Sequence, residues 1–75
     1  QAFLIYPNPV EENLNIISSD IKDKYISIYN NLGQHIQTKQ LLNSINVSDL
    51  PVGNYFYTIS NKSHEILQEG KFLKK

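Results

Sequence analysis

The chain contains no cysteine and no arginine, and these two absences limit how its core can be stabilised and what it can bind. Without cysteine, neither a disulfide nor a thiolate metal site can supplement the small core of this 75-residue chain. Seven lysines balance seven acidic residues, so the formal net charge is zero. A neutral chain without arginine is a poor candidate for nucleic-acid binding, which needs cations to neutralise phosphates.

Methionine is also absent, and the chain begins at Gln1. We therefore expect a processed form or an excised piece of a longer protein, with any N-terminal export signal lying upstream. No apolar run approaches the length of about 20 residues that a membrane-spanning helix needs. The length fits one domain over residues 1–75.

The strongest strand signal is the segment Gly53–Ser60. Tyr55, Tyr57 and Ile59 recur at every second position and therefore share one face of a strand. Aromatic and β-branched residues dominate the segment, as is typical of a half-buried sheet. We expect this strand to be central and to pair with the segment after the turn at residues 61–63.

Residues 24–40 are predicted to form a hairpin, with Ile26 and Ile28 facing inward. Its turn covers residues 30–33, in which Gly33 stands at the position most in need of a positive φ. Further strands are predicted at residues 3–6, 13–16, 44–47 and about 64–74. Gly70 suggests a bulge or break in the last strand, whose two faces cannot be assigned because its apolar residues do not alternate.

About seven short strands, separated by turn signals and without a helical period, predict an all-β fold. The expected architecture is a small two-sheet β-sandwich, immunoglobulin-like. The predicted core consists of Ile5, Leu14, Ile16, Ile26, Ile28, Ile36, Ile45, Val47, Leu50, Tyr55, Tyr57 and Ile59.

No catalytic constellation is visible in the sequence. The imidazoles of His35 and His64 have no ligand-like spacing, so we predict no metal site and no cofactor. Two triplets contain nucleophile, base and acid types, but consecutive residues cannot form a relay with each other, and we interpret both as surface turns. The triplets are Ser18-Ser19-Asp20 and Ser63-His64-Glu65. We predict neither enzymatic activity nor a small-molecule substrate.

Tyr25, Tyr29 and Phe56 are predicted to project outward from neighbouring strands. Such aromatics could stack sugar rings, receive a protein partner or simply cover a sheet face. An accessory carbohydrate-binding module of a secreted enzyme is therefore the alternative function. A spacer between domains is a third option. It is disfavoured if Lys75 is the native end, because the chain would then stop straight after its last strand.

The order of motifs along nearly the whole chain resembles a known family. The motifs are Tyr6-Pro7-Asn8-Pro9, Leu14-Asn15-Ile16, the glycine-centred hairpin at 26–36, the segment 45–55, and Lys71-Phe72-Leu73-Lys74-Lys75. In this order they are similar to the C-terminal sorting domain, type A, of cargo proteins of the type IX (Por) secretion system.

The resemblance implies a non-catalytic secretion signal whose partner in the same chain is an upstream cargo domain. The cargo would reach the periplasm, be recognised by the outer-membrane secretion apparatus and end at the cell surface or outside the cell. A sortase-type surface peptidase usually removes the domain, here at a bond just before or near Gln1, and attaches the cargo to an anionic lipopolysaccharide.

We expect the apparatus to recognise a stiff, extended Pro-Asn-Pro connector and a charged terminal strand. Lys71 and Lys74 would be recognised in that strand by edge pairing with a partner. The predicted recognition residues are Pro7, Asn8, Pro9, Gly33, Gly53, Tyr55, Lys71, Phe72, Leu73, Lys74 and Lys75.

Overall fold

Strands with a two-residue alternation of burial account for the regular structure, which a computed structural model describes for residues 3–75. The expected cleavage position near Gln1 lies outside these residues. Among them no helix is long and apolar enough to cross a membrane. The strands are β1 (Leu4–Tyr6), β2 (Asn13–Ile17), β3 (Tyr25–Asn30), β4 (His35–Gln40), β5 (Ser44–Asn46), β6 (Gly53–Ser60) and β7 (Ile66–Lys74).

The strands form a three-stranded sheet in the order β1-β2-β5 and a four-stranded sheet in the order β4-β3-β6-β7. All neighbours within the sheets are antiparallel. This arrangement confirms the predicted all-β fold with seven strands in two sheets. It also confirms that the segment Gly53–Ser60 is an inner strand that pairs with the segment following it.

The core lies between the inward faces of the two sheets. Most of the predicted core residues are buried, whereas Ile5 is half-buried against the core and Ile36 is 38% exposed. The prediction for Ile36 is wrong because Tyr29 pairs with His35 while Ile28 pairs with Gln37, which leaves Ile36 as an extra residue in a bulge. The buried apolar residues not predicted are Phe3, Val10, Leu41 and Phe72.

The last strand begins at Ile66. The prediction of a bulge or break at Gly70 is wrong, because Gly70 pairs regularly with Tyr57 and the irregularity lies at Leu67. Ile59 pairs with Gln68 and Ser60 pairs with Ile66, so Leu67 has no partner across the ladder. This extra residue shifts the alternation by one position, which is why the apolar residues of β7 show no clean period.

Candidate recognition site

The predicted recognition residues gather at one end of the four-stranded sheet. Tyr55, near the start of β6, lies opposite Asn30 at the end of β3 and opposite Phe72 near the end of β7. The β3–β4 turn that contains Gly33 follows Asn30 directly, so it belongs to the same end. The predicted recognition residues of β6, β7 and the β3–β4 turn, which are far apart along the chain, therefore lie at the same end of this sheet.

Residues 7–10, called the strap below, lie in the connection between β1 and β2 and contact the outer edge of β7. The Asn8 carboxamide oxygen accepts a hydrogen bond from the Leu73 N–H at 2.9 Å, and its amide donates to the Lys71 carbonyl at 3.4 Å. The chain bends at Asn8 and Pro9, so the expectation of an extended connector is wrong. The strap is a cover on the edge of the last strand.

Val10 fixes the strap to the end of β7 through its backbone. The Val10 N–H donates to the Leu73 carbonyl at 2.8 Å, and the Lys75 N–H donates to the Val10 carbonyl at 2.7 Å. The Val10 side chain is completely buried. Because Asn8 and Val10 together bond both backbone groups of Leu73, a partner strand finds no free group at that residue.

Tyr55, Phe72 and Lys74 are buried, with 5%, 2% and 6% of their surface exposed. The Tyr55 ring stacks on Phe72 at 5.5 Å, and its hydroxyl donates to the Pro51 carbonyl at 2.6 Å. This hydroxyl contact, four residues back along the chain, resembles the tyrosine corner of immunoglobulin-type sandwiches. These residues shape the end of the sheet and offer little surface to a partner.

Gly33 and Gly53, at the same end of the sheet, have backbone conformations that favour glycine. Their φ angles are +82° and +155°, values that residues with a side chain rarely adopt. In the β3–β4 turn, the Gly33 N–H donates to the Asn30 carbonyl at 3.0 Å, which confirms the predicted turn with a positive φ at its glycine.

Lys71 and Lys75 are the exposed cations of this end. Among residues 3–75, neither ammonium group has a carboxylate within ion-pair distance. The Lys74 ammonium instead donates to the Lys75 carbonyl at 3.1 Å. The accessible charge beside the strap is therefore positive and is not neutralised within the described part of the chain.

Gln68 is a connecting residue that the sequence prediction missed. Its carboxamide accepts from the Phe3 N–H at 2.9 Å and donates to the Phe3 carbonyl at 2.8 Å, as a neighbouring strand would. The same amide donates to the Tyr57 hydroxyl at 3.1 Å. Counting back from the aromatic Phe72 in steps of two would have placed Gln68 on the inward side of β7.

The aromatic residues Tyr25, Tyr29 and Phe56 share the outer face of the four-stranded sheet, as predicted. Phe56 is 43% exposed and lies opposite Tyr29, which is half-buried. The Tyr29 ring packs edge-on against His35 with ring centres 5.5 Å apart. Part of this aromatic surface is therefore used by cross-strand packing within the sheet.

Within residues 3–75, no group of three or more His, Cys, Asp or Glu side chains is placed to hold a metal ion. Asp20 has a clearly shifted pKa, which is lowered by the hydrogen bond from the Lys22 backbone N–H and by the Lys24 ammonium. Asp20 lies in the loop between β2 and β3 and is not one of the predicted recognition residues.

Comparison with known proteins places almost the entire chain in one alignment. Residues 4–74 match the family model described as secretion system C-terminal sorting domain. No curated protein and no solved structure matches the chain. The matched range includes both sheets, the strap and β7 up to Lys74.

Proposed function

The chain belongs to the family of type IX secretion system C-terminal sorting domains. We propose that it is the secretion signal by which the apparatus recognises a cargo domain located upstream in the same chain. Domains of this family are secretion signals and not catalysts. Membership implies an interaction with the secretion apparatus and export to the cell surface or the medium.

The proposed route has a periplasmic stage and a surface stage. The folded domain is recognised in the periplasm by the outer-membrane apparatus, and the cargo then crosses the outer membrane. A sortase-type peptidase at the surface removes the domain and attaches the cargo. The supporting observation is that the predicted recognition residues lie at one end of the four-stranded sheet, where the exposed ones could act as one surface independent of the cargo.

The accessible part of that surface is the strap with the exposed residues of the β7 end. Lys71 and Lys75 carry positive charge without an ion-pair partner in the described chain, and Leu73 is 38% exposed. We assign direct recognition to these three residues. The buried members of the predicted set, such as Tyr55 and Phe72, hold them in place.

The test is a reporter protein fused upstream of residues 1–75 and expressed in a host that possesses the type IX apparatus. Replacing Lys71 and Lys75 by serine removes both exposed charges without touching the buried Phe72. We expect at least about tenfold less reporter at the surface, equivalent to roughly 1.4 kcal/mol of recognition, with the reporter retained in the periplasm.

The matched control replaces Lys22 and Lys62 by serine, which makes the same change in net charge elsewhere on the surface. It should export like the unaltered chain. Undiminished surface display of the Lys71 and Lys75 variant, with the domain folded by circular dichroism, would refute the assignment. Export of the unaltered fusion from a host without the apparatus would refute the proposed function itself.

Removal by a peptidase has its own readout in the same experiment. The polypeptide of the surface product, measured apart from any attached lipopolysaccharide, should be smaller than the periplasmic fusion by about the 8.7 kDa of this chain. A surface product of full length would contradict removal while leaving the sorting function intact.

A further inference from the structure

Among residues 3–75, the outer edge of β7 has a short stretch without hydrogen-bond partners beside the strap, called the open stretch below. Successive residues of an antiparallel strand direct their backbone groups alternately to the two sides. Both backbone groups of Leu73 bond to the strap, so they point away from β6. No bulge intervenes between Leu73 and Glu69, so Lys71 and Glu69 also direct their backbone groups outward.

Three of these outward groups have no partner among residues 3–75: the Glu69 N–H, the Glu69 carbonyl and the Lys71 N–H. Both residues are exposed. The strap closes the edge on one side at Leu73, and the bulge at Leu67 ends the regular ladder on the other. Folded proteins usually cover or disrupt exposed strand edges. The stretch between the strap and the bulge is neither covered nor disrupted, so an added strand could pair with it there.

A depression of about 490 Å³ lies next to this stretch and can receive side chains of an added strand. Phe56, opposite Lys71 in the ladder, offers it an apolar surface and is 43% exposed. The depression is lined by Phe56, Tyr57, Thr58, Glu69, Gly70 and Lys71. Charge selects the partner as well, because opposite charges on directly opposed residues stabilise a strand pair.

We propose that an extended segment of a protein of the secretion apparatus adds to β7 at Glu69 and Lys71 as an antiparallel strand. It carries an acidic residue opposite Lys71 and, two residues later, a basic residue opposite Glu69. This inference rests on the proposed function and names the contact through which the apparatus recognises the domain. Main-chain hydrogen bonds supply affinity in such complexes, and the alternate side chains supply specificity.

A second copy of this chain is disfavoured as the occupant. Its own Glu69 and Lys71 have the required order of charges, so the two β7 strands could pair in principle. If Lys71 of each copy lay opposite Glu69 of the other, Leu67 would lie opposite Leu73 of the other copy. The strap already occupies that side of Leu73, because Asn8 and Val10 bond to it. The partner segment must therefore come from a protein without such a cover.

The test is Glu69→Pro in the reporter fusion, because proline removes the outward N–H without removing a bond to β6. We expect about a tenfold loss of surface reporter, equivalent to about 1.4 kcal/mol, because a carbonyl of the partner strand loses its hydrogen-bond donor. Export of a folded Glu69→Pro variant at the level of the unaltered chain would overturn the proposal.

Two controls separate the backbone contact from other effects. Gln40→Pro makes the same change on the opposite edge strand, where the Leu41 N–H bonds to Lys24 and the Gln40 backbone therefore faces outward. Glu69→Ala keeps the N–H and removes the carboxylate. Both should export better than Glu69→Pro, and equal loss in either control would overturn pairing through the Glu69 N–H.

Folding and association are measured on the purified variants. Should Glu69→Pro unfold, Lys71→Pro removes the other outward N–H and carries the same expectation; unfolding of both would show that these groups are used internally. The unaltered chain should be a monomer by light scattering, and a dimer that Glu69→Pro dissociates would make a second copy the occupant. Failure of the unaltered fusion to export would instead count against the proposed function.

Discussion

Gly70 illustrates how one residue without a side chain can be required inside a regular strand. It lies directly opposite Tyr57, whose ring covers it on the inward side of the sheet. A Cβ atom at Gly70 would be 2.7 Å from the Tyr57 hydroxyl and 2.8 Å from its Cε2 atom. Tyr57 is 8% exposed and its hydroxyl accepts a hydrogen bond from Gln68, so the ring cannot move away freely.

We predict that Gly70→Ala destabilises the domain by about 1–3 kcal/mol, the usual cost of overpacking a filled site. Urea unfolding should show a lower midpoint with an unchanged dependence on denaturant. Lys71→Ala, at the neighbouring exposed position, is the control and should change the free energy of unfolding by less than about 0.5 kcal/mol. An unchanged midpoint for Gly70→Ala would show that the ring yields without cost.

At the scale of elements, the two hairpin loops of the four-stranded sheet are built alike. In the β6–β7 loop, the Asn61 carboxamide oxygen accepts from the N–H groups of Ser63 and Glu65 at 2.9 and 3.0 Å. The His64 N–H donates to the Asn61 carbonyl at 3.0 Å, with the φ of His64 at +65°. His64 thus takes the backbone conformation that Gly33 takes in the β3–β4 loop.

In the β3–β4 loop, Asn30 plays the part of Asn61. Its carboxamide oxygen accepts from the N–H groups of Leu32 and Gln34 at 2.9 and 3.0 Å. The difference between the loops is the residue with positive φ, which is glycine in one and histidine in the other. A histidine in that region carries a steric cost that glycine does not.

We predict that His64→Gly stabilises the domain by about 0.5–1 kcal/mol, because relief of the left-handed backbone exceeds the added entropy of the unfolded chain. The reciprocal change, Gly33→His, should destabilise it by a similar amount. Thermal unfolding of the two variants measures both effects. A lower melting temperature for His64→Gly would mean that the imidazole contributes contacts that outweigh the backbone cost.

Local patterns sufficed for the elements whose signals are local. The alternation of Ile26 and Ile28, together with the turn from Asn30 to Gly33, predicted the β3–β4 hairpin correctly. The last strand resisted assignment because its bulge at Leu67 moves the apolar residues out of phase. The position of a bulge depends on the loop and on the pairing with the partner strand, so it cannot be predicted from the residues of the strand alone.

The strap shows the limit of the sequence for the candidate site. The motif Tyr-Pro-Asn-Pro was identified, but the partners of Asn8 at Lys71 and Leu73 lie 63 and 65 residues further along the chain. No periodicity reports a contact at that separation. Val10 was missed in the core for the same reason, since a single apolar residue in a loop carries no period.

At the scale of the whole molecule, the strap joins the two sheets and connects the first described strand with the last. β1 belongs to the three-stranded sheet, whereas the strap that follows it bonds to β7 of the four-stranded sheet. Asn8 is exposed, while Val10 is completely buried. The strap therefore has an outer contact with the edge that can open and an inner one that anchors it.

We predict that Asn8→Ala opens the outer contact while Val10 keeps the strap attached. The Leu73 amide loses its acceptor, so its hydrogen exchange should become faster, with a loss of about 0.5–1.5 kcal/mol of stability for the hydrogen bond removed. Asn31→Ala, at an exposed loop asparagine, should leave both quantities unchanged. Equal exchange at Leu73 in Asn8→Ala and the unaltered chain would mean that Val10 alone protects this edge, and that Asn8 does not set the boundary of the open stretch at Glu69 and Lys71.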